Sequence, residues 1–194
     1  RTGANEFFYM KDVSHLYEAD RLANPKKFEE CGITAKNEKE LREQGLIYIE
    51  NGNGDRFIMD QTSVKKIIKS PKELSKYVES SNNLRTLIFY PEELGEFSRK
   101  YIAYGENKKY NKIPSCAGRK KWYLLTDLKP AKLVIIVNQG DRLFNPLIEP
   151  PVIVDKMFYA AYPKNIEINK VKNVVAVNGD VKDKCKEFEG FADR

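Results

Sequence analysis

Histidine is almost missing from this chain of 194 residues: His15 is the only one, and it sits in a charged N-terminal stretch. A Ser-His-Asp or Cys-His catalytic arrangement would have to be built on that single imidazole. Cysteine is scarce too. Cys31, Cys116 and Cys185 are far apart, odd in number and never form a CxxC pair. A structural zinc site needs four ligands, usually at short spacing, so none is expected. Scattered free thiols suit a reducing cytoplasm. Long apolar runs are missing as well. The longest aliphatic run, Leu133-Val134-Ile135-Ile136-Val137, has the length of a strand and is far short of the roughly 20 residues that cross a bilayer. No GxxxxGK[ST] phosphate loop occurs. The chain opens Arg-Thr-Gly-Ala-Asn, with neither a start Met nor an apolar leader, and reads as a piece of a longer protein.

Positive charge is present, and it is concentrated. The formal net charge is +6. Residues 99–121 carry Arg99, Lys100, Lys108, Lys109, Lys112, Arg119, Lys120 and Lys121 against the single carboxylate of Glu106. Eight minus one gives a local surplus of seven, more than the whole chain carries. Such a patch points to an anionic partner.

Hydrophobic residues make up 41%, enough for a packed core. Residues 2–10 read as a turn followed by an aromatic strand, Phe7-Phe8-Tyr9-Met10. A helix is expected over 38–44, closed by Gly45. Residues 46–50 and 56–60 flank Asn51-Gly52-Asn53-Gly54-Asp55 and predict a hairpin. Gly52-Asn53-Gly54 resembles a cofactor loop in composition. It leads into the strand residues Phe57-Ile58-Met59, however, and a cofactor loop leads into a helix. Pro71 marks a possible helix start, and 84–90 reads as a strand. Residues 91–106 form the best helix, with Pro91 in its first turn, Leu94, Phe97, Tyr101 and Tyr104 on one face, and Gly105 at its end. Residues 108–123 read as a loop. Strand signals follow at 132–138, 152–155, 158–162 and 173–177, with Asp155, Phe158 and Tyr159 in structural roles and both aromatics in the core. The expected class is α+β, a mixed, mostly antiparallel sheet with packed helices.

The chemistry concentrates in Ser115-Cys116-Ala117-Gly118-Arg119-Lys120-Lys121-Trp122-Tyr123. Three consecutive cations suit phosphate oxygens, and arginine can also fork onto a guanine edge. Trp122 and Tyr123 can stack on a base or pack on sugar, and Ser115 can donate to a phosphate. Trp122 fits a buttress of the loop better than a base contact. Gly3 and Asn5 lie in a small-residue turn that a nucleic-acid backbone could approach. Arg142, beside Asp141, is a further contact or half of a surface ion pair.

Several strings resemble one family. Thr2-Gly3-Ala4-Asn5-Glu6-Phe7-Phe8-Tyr9 is similar to the segment that opens the target-recognition region in N6-adenine DNA methyltransferases of restriction–modification systems. Ile68-Lys69-Ser70-Pro71-Lys72-Glu73-Leu74 resembles the segment that follows it there. Tyr101-Ile102 with Gly105-Glu106 and Tyr110, then Pro114-Ser115-Cys116 with Arg119-Lys120-Lys121-Trp122-Tyr123, resemble the next two. Asp141-Arg142, Val154-Asp155 with Phe158-Tyr159, and Tyr162-Pro163-Lys164 follow in the family's order. Gly118 and Lys121 stand where the family often has serine and proline.

The resemblance implies a DNA target-recognition domain over residues 1–165, with 166–194 as an extension of it. It implies double-stranded DNA as partner, and a catalytic domain in cis or a methylase subunit in trans that binds S-adenosylmethionine. This chain itself would hold no cofactor and would not catalyse. Asn145-Pro146-Leu147 and Glu149-Pro150-Pro151-Val152 both fall short of the Asn-Pro-Pro-Tyr-type loop that holds a flipped adenine. Cytoplasmic location is expected. A specificity subunit, or a protein-interaction domain with incidental basic charge, are the competing readings. If Arg119 reads a base, Arg119→Ala should cost about 1–3 kcal/mol on the preferred sequence and relax that preference, while Lys120→Ala weakens all sequences alike. Competition binding across a duplex library checks this, and a uniform loss for both variants would rule out direct readout by Arg119.

Overall fold

The computed structural model describes residues 4–126, 128–136 and 145–162. Gly3, Asp141, Arg142 and Pro163-Lys164, the strand expected at 173–177 and the extension 166–194 lie outside the described residues. The chain begins with a helical turn, α1 (Asn5–Phe8), and strand β1 (Tyr9–Asp12). Three short helices follow: α2 (Tyr17–Ala23), α3 (Pro25–Glu30) and α4 (Glu38–Glu43). The next strands are β2 (Leu46–Asn51), β3 (Arg56–Asp60), β4 (Val64–Ile68), β5 (Val78–Ser80) and β6 (Thr86–Phe89). The main helix α5 (Glu96–Asn107) and the turn α6 (Pro114–Ala117) precede β7 (Ala131–Ile136), β8 (Leu147–Val154) and β9 (Phe158–Ala161).

The strands hydrogen-bond in the order β3-β2-β1-β6-β4-β8-β7-β9, with β5 also paired to β8. Only β4/β8 and β5/β8 run parallel among the described pairings. This is the expected α+β fold with a mixed, mostly antiparallel sheet.

The hairpin expected at 46–60 forms, and pairing explains its sequence. Directly opposed residues of an antiparallel pair share a face. Ile49 opposes Phe57 and Ile47 opposes Met59, and these four line one core; Tyr48 opposes Ile58, and they line another with Leu46. Because β2 is covered on both faces, its Leu-Ile-Tyr-Ile run shows no alternation. The second core also holds Tyr17 and Phe28 from α2 and α3, and the Tyr17 hydroxyl donates to the Ala35 carbonyl at 2.8 Å. Neither helix is evident in the sequence, because each buries essentially one aromatic residue in an otherwise charged stretch. A third core gathers Val134, Ile136, Ile148, Val152 and Phe158 between the last strands.

Three expectations are corrected. Phe7 and Phe8 are helical, not extended, and β1 starts only at Tyr9. In a strand they would point to opposite faces; the helical turn sends both into the first core, with exposures of 0% and 5%. Residues 91–95 are not helical. The start of α5 is set by Gly95 as N-cap and by Asp60, whose carboxylate accepts from the Ser98 N–H at 2.8 Å. A helix begins where its orphan N–H groups find an acceptor, and this acceptor lies 38 residues away. The helix ends at Asn107, beside the expected end at 106. Finally, Tyr159 is 64% exposed: Phe158 takes the buried position, and strand alternation turns its neighbour outward.

Two strands, β4 and β5, carry no clear signal. In β4 the inner positions are shared with lysines. Lys65 lies over the Tyr90 ring and pairs with Glu92 at 2.6 Å, while Lys66 donates to the Ser81 carbonyl at 2.8 Å. Burial pulls the Lys66 ammonium below its usual range.

Asp60→Ala removes the distant cap from α5. It should destabilise the protein by about 1–2 kcal/mol in urea unfolding, and Asp60→Asn, which keeps an acceptor, by less. An unchanged midpoint for Asp60→Ala would show that the helix start does not depend on this carboxylate.

Candidate nucleic-acid interface

The basic segment is a chain of tight turns laid over the first core. After α5, Lys109 adopts the left-handed conformation with φ 63°. A 3-10 turn follows at Tyr110–Lys112, then α6, then the bend at 118–123. Backbone bonds close each turn: Lys112 N–H to the Lys109 carbonyl (3.0 Å), Arg119 N–H to Cys116 (3.0 Å), Leu124 N–H to Lys121 (3.0 Å). Left-handed geometry costs a side chain about 1–2 kcal/mol relative to glycine, so the lysine there is held by its surroundings.

Inward side chains recur every six residues. Tyr104, Tyr110, Cys116 and Trp122 all pack on the first core. Between them Lys108, Lys109, Lys112, Ser115, Lys120 and Lys121 are exposed. Among the described residues none of these five lysines has an ion-pair partner, whereas Lys100 is paired with Glu96 at 2.6 Å. Lys108 leans toward the Tyr104 ring, 5.8 Å from its centroid.

The anchors are well tied. Trp122 is half-buried, packs on Phe7 with ring centroids 4.8 Å apart, and donates its indole N–H to Glu106 Oε1 at 3.2 Å. The Tyr104 hydroxyl donates to Asp55 at 2.6 Å and accepts from the side-chain amides of Asn51 (3.2 Å) and Asn53 (3.1 Å). Asn53 also donates to the Tyr110 hydroxyl at 2.8 Å. The hairpin tip thereby fastens the end of α5 and the turn after it. Tyr101 donates to the Phe7 carbonyl at 2.8 Å. Burial, foremost, pushes the Tyr101 and Tyr104 hydroxyls above the usual tyrosine range, so both remain neutral donors.

Arg119 is half-buried. Its Nη1 donates to the Leu124 carbonyl at 3.1 Å, and its guanidinium lies 5.8 Å from the centroid of the Phe8 ring. One of its five N–H groups is thus committed inside the loop. Phe8 shares α1 with Asn5, which is exposed, so the 119–123 bend and α1 meet here. Tyr123 is half-buried, edge-on to Trp122 at 5.9 Å. The structure therefore gathers Asn5, Ser115, Arg119, Lys120, Lys121, Trp122 and Tyr123 around one aromatic core. The Asn53–Tyr110 bond left no signal in the sequence, and Lys112 and Glu106 entered it only through the charge count and the family-like strings. Gly105, read from the sequence as the helix end, lies in the last turn of α5, where a glycine costs about 1 kcal/mol unless packing demands it.

Among the described residues no group of His, Cys, Asp and Glu is arranged to hold a metal ion. Cys116 is fully buried, and His15 is exposed on a 3-10 turn before α2. Two surface hollows, of about 510 and 280 Å³, are lined by Glu38, Lys39, Arg42 and Glu43 and by a set around Lys66 and Pro150; neither involves residues 99–123. No helix among the described residues is long and apolar enough to cross a membrane. Compared with family models, curated proteins and solved structures, the chain has no match in any of the three.

A Cβ on Gly105 would come within 2.5 Å of both the Phe7 ring and the Trp122 ring. Gly105→Ala should therefore destabilise the fold by about 1–3 kcal/mol and red-shift the emission of the sole tryptophan. A variant as stable as the parent, with unchanged emission, would refute this packing.

Proposed function

We propose that this chain is the DNA target-recognition part of an N6-adenine methyltransferase of the restriction–modification type, acting in the cytoplasm. The observation that carries the reading is the row of unpaired, exposed lysines, Lys108, Lys109, Lys112, Lys120 and Lys121, held around Arg119 and Trp122. Five free ammonium groups on anchored turns suit a polyanion whose charges repeat along a line, as backbone phosphates do. The ordered string of family-like segments supplies the DNA and methyltransferase parts of the proposal.

In this reading the lysines and Ser115 hold phosphates and set the register, while Arg119 stands nearest the base edges. Trp122 supports the loop from below. Catalysis belongs to a separate domain or subunit that binds S-adenosylmethionine and receives the flipped adenine. This chain's task is to hold the duplex so that the correct adenine is presented.

Fluorescence anisotropy with a random-sequence duplex tests the proposal. With about five phosphate contacts, log affinity should fall with log salt at a slope of about −4.5, a loss of several hundredfold between about 50 and 200 mM. The Arg119/Lys120/Lys121 triple-alanine variant should bind more weakly and with a shallower slope. Indifference to DNA at low salt would overturn the reading and favour a protein-interaction domain. Equal binding by both proteins would move the DNA surface elsewhere.

A further inference from the structure

The basic strip has one acidic member. Glu106 is exposed on the last turn of α5, two residues before Lys108. A carboxylate is disfavoured there twice. It sits at the negative end of the helix dipole, and it repels any phosphate that the neighbouring lysines attract. Among the described residues it has no ion-pair partner; its side-chain bond is the one it accepts from the Trp122 indole at 3.2 Å. That bond places the charge one residue from Lys121. Two other carboxylates near this end are held differently, Asp55 by the Tyr104 hydroxyl at 2.6 Å and Glu6 by the Tyr110 hydroxyl at 3.5 Å. Neither belongs to the strip or touches Trp122.

We propose that Glu106 is a positioning residue that also limits affinity: its carboxylate fixes Trp122, and with it the 119–123 bend, while its charge weakens sequence-independent attraction to phosphates. The inference rests on the DNA reading for its biological sense, since lower non-specific affinity raises the share of binding that depends on sequence. Its two halves are separable. Glutamine keeps a carbonyl acceptor for the indole and removes the charge; alanine removes both.

The test compares the full chain with E106Q and E106A, by anisotropy on a random-sequence duplex and by emission of Trp122, the only tryptophan. E106Q should leave the emission maximum unchanged and tighten duplex binding about threefold at about 50 mM salt, with the gain shrinking at about 200 mM as screening grows. E106A should red-shift the emission and gain less than E106Q. Unchanged or weaker binding by E106Q with unchanged emission would overturn the affinity-limiting role. Unshifted emission in E106A would overturn the positioning role. If the parent chain ignores duplex DNA, the DNA reading fails by itself. The salt needed to elute each protein from immobilised heparin, a sulfated polyanion, then reads the charge effect directly, and E106Q eluting no later than the parent would overturn it.

Discussion

Phe7 has no exposure to solvent, and its ring contacts those of Phe8, Phe89, Tyr101, Tyr110 and Trp122. These partners come from the first helical turn, the central strand β6, the main helix and two turns of the basic segment. Burying a ring of this size contributes about 1.5–3 kcal/mol, and each well-set aromatic pair adds about 0.5–1.5 kcal/mol. The basic segment is thus packed onto the sheet with this ring among its main contacts. Gly105 belongs to the same contact: only the lack of a side chain there lets Phe7 and Trp122 close over the helix.

That core decides how the charge is displayed. With Tyr104, Tyr110, Cys116 and Trp122 turned inward, the lysines between them are turned outward. Six-residue spacing of the anchors leaves room for one to three cations between each pair. A lysine even occupies the left-handed position at 109, where glycine would be the easier choice. Lysines on a disordered loop would lose conformational entropy on meeting a polyanion. On turns closed by backbone bonds, much of that ordering is already done.

The elements that were legible in the sequence are those whose causes are local. The hairpin at 46–60 follows from Asn51-Gly52-Asn53-Gly54-Asp55 between two apolar runs, and α4 from the Gly45 stop; Gly45 indeed takes φ 72°. The missing or shifted elements have distant causes. The start of α5 depends on Asp60, a strand residue. The helical form of Phe7 and Phe8 depends on a core that must take both rings on one side. The two lysines of β4 hide a strand that lies between β6 and β8.

By itself the sequence determined the α+β class, the hairpin and the concentration of positive charge in residues 99–121, because composition and short spacing carry those signals. Only the tertiary structure decided which cations stand free and which are committed. Lys100 is neutralised by Glu96 and Arg119 is turned in part toward Leu124, while Lys108, Lys109, Lys112, Lys120 and Lys121 remain exposed and unpaired among the described residues. A charge in a sequence has no direction. Direction comes from which neighbours are buried, and here it comes from a ring at position 7 packed against rings more than eighty residues further along the chain.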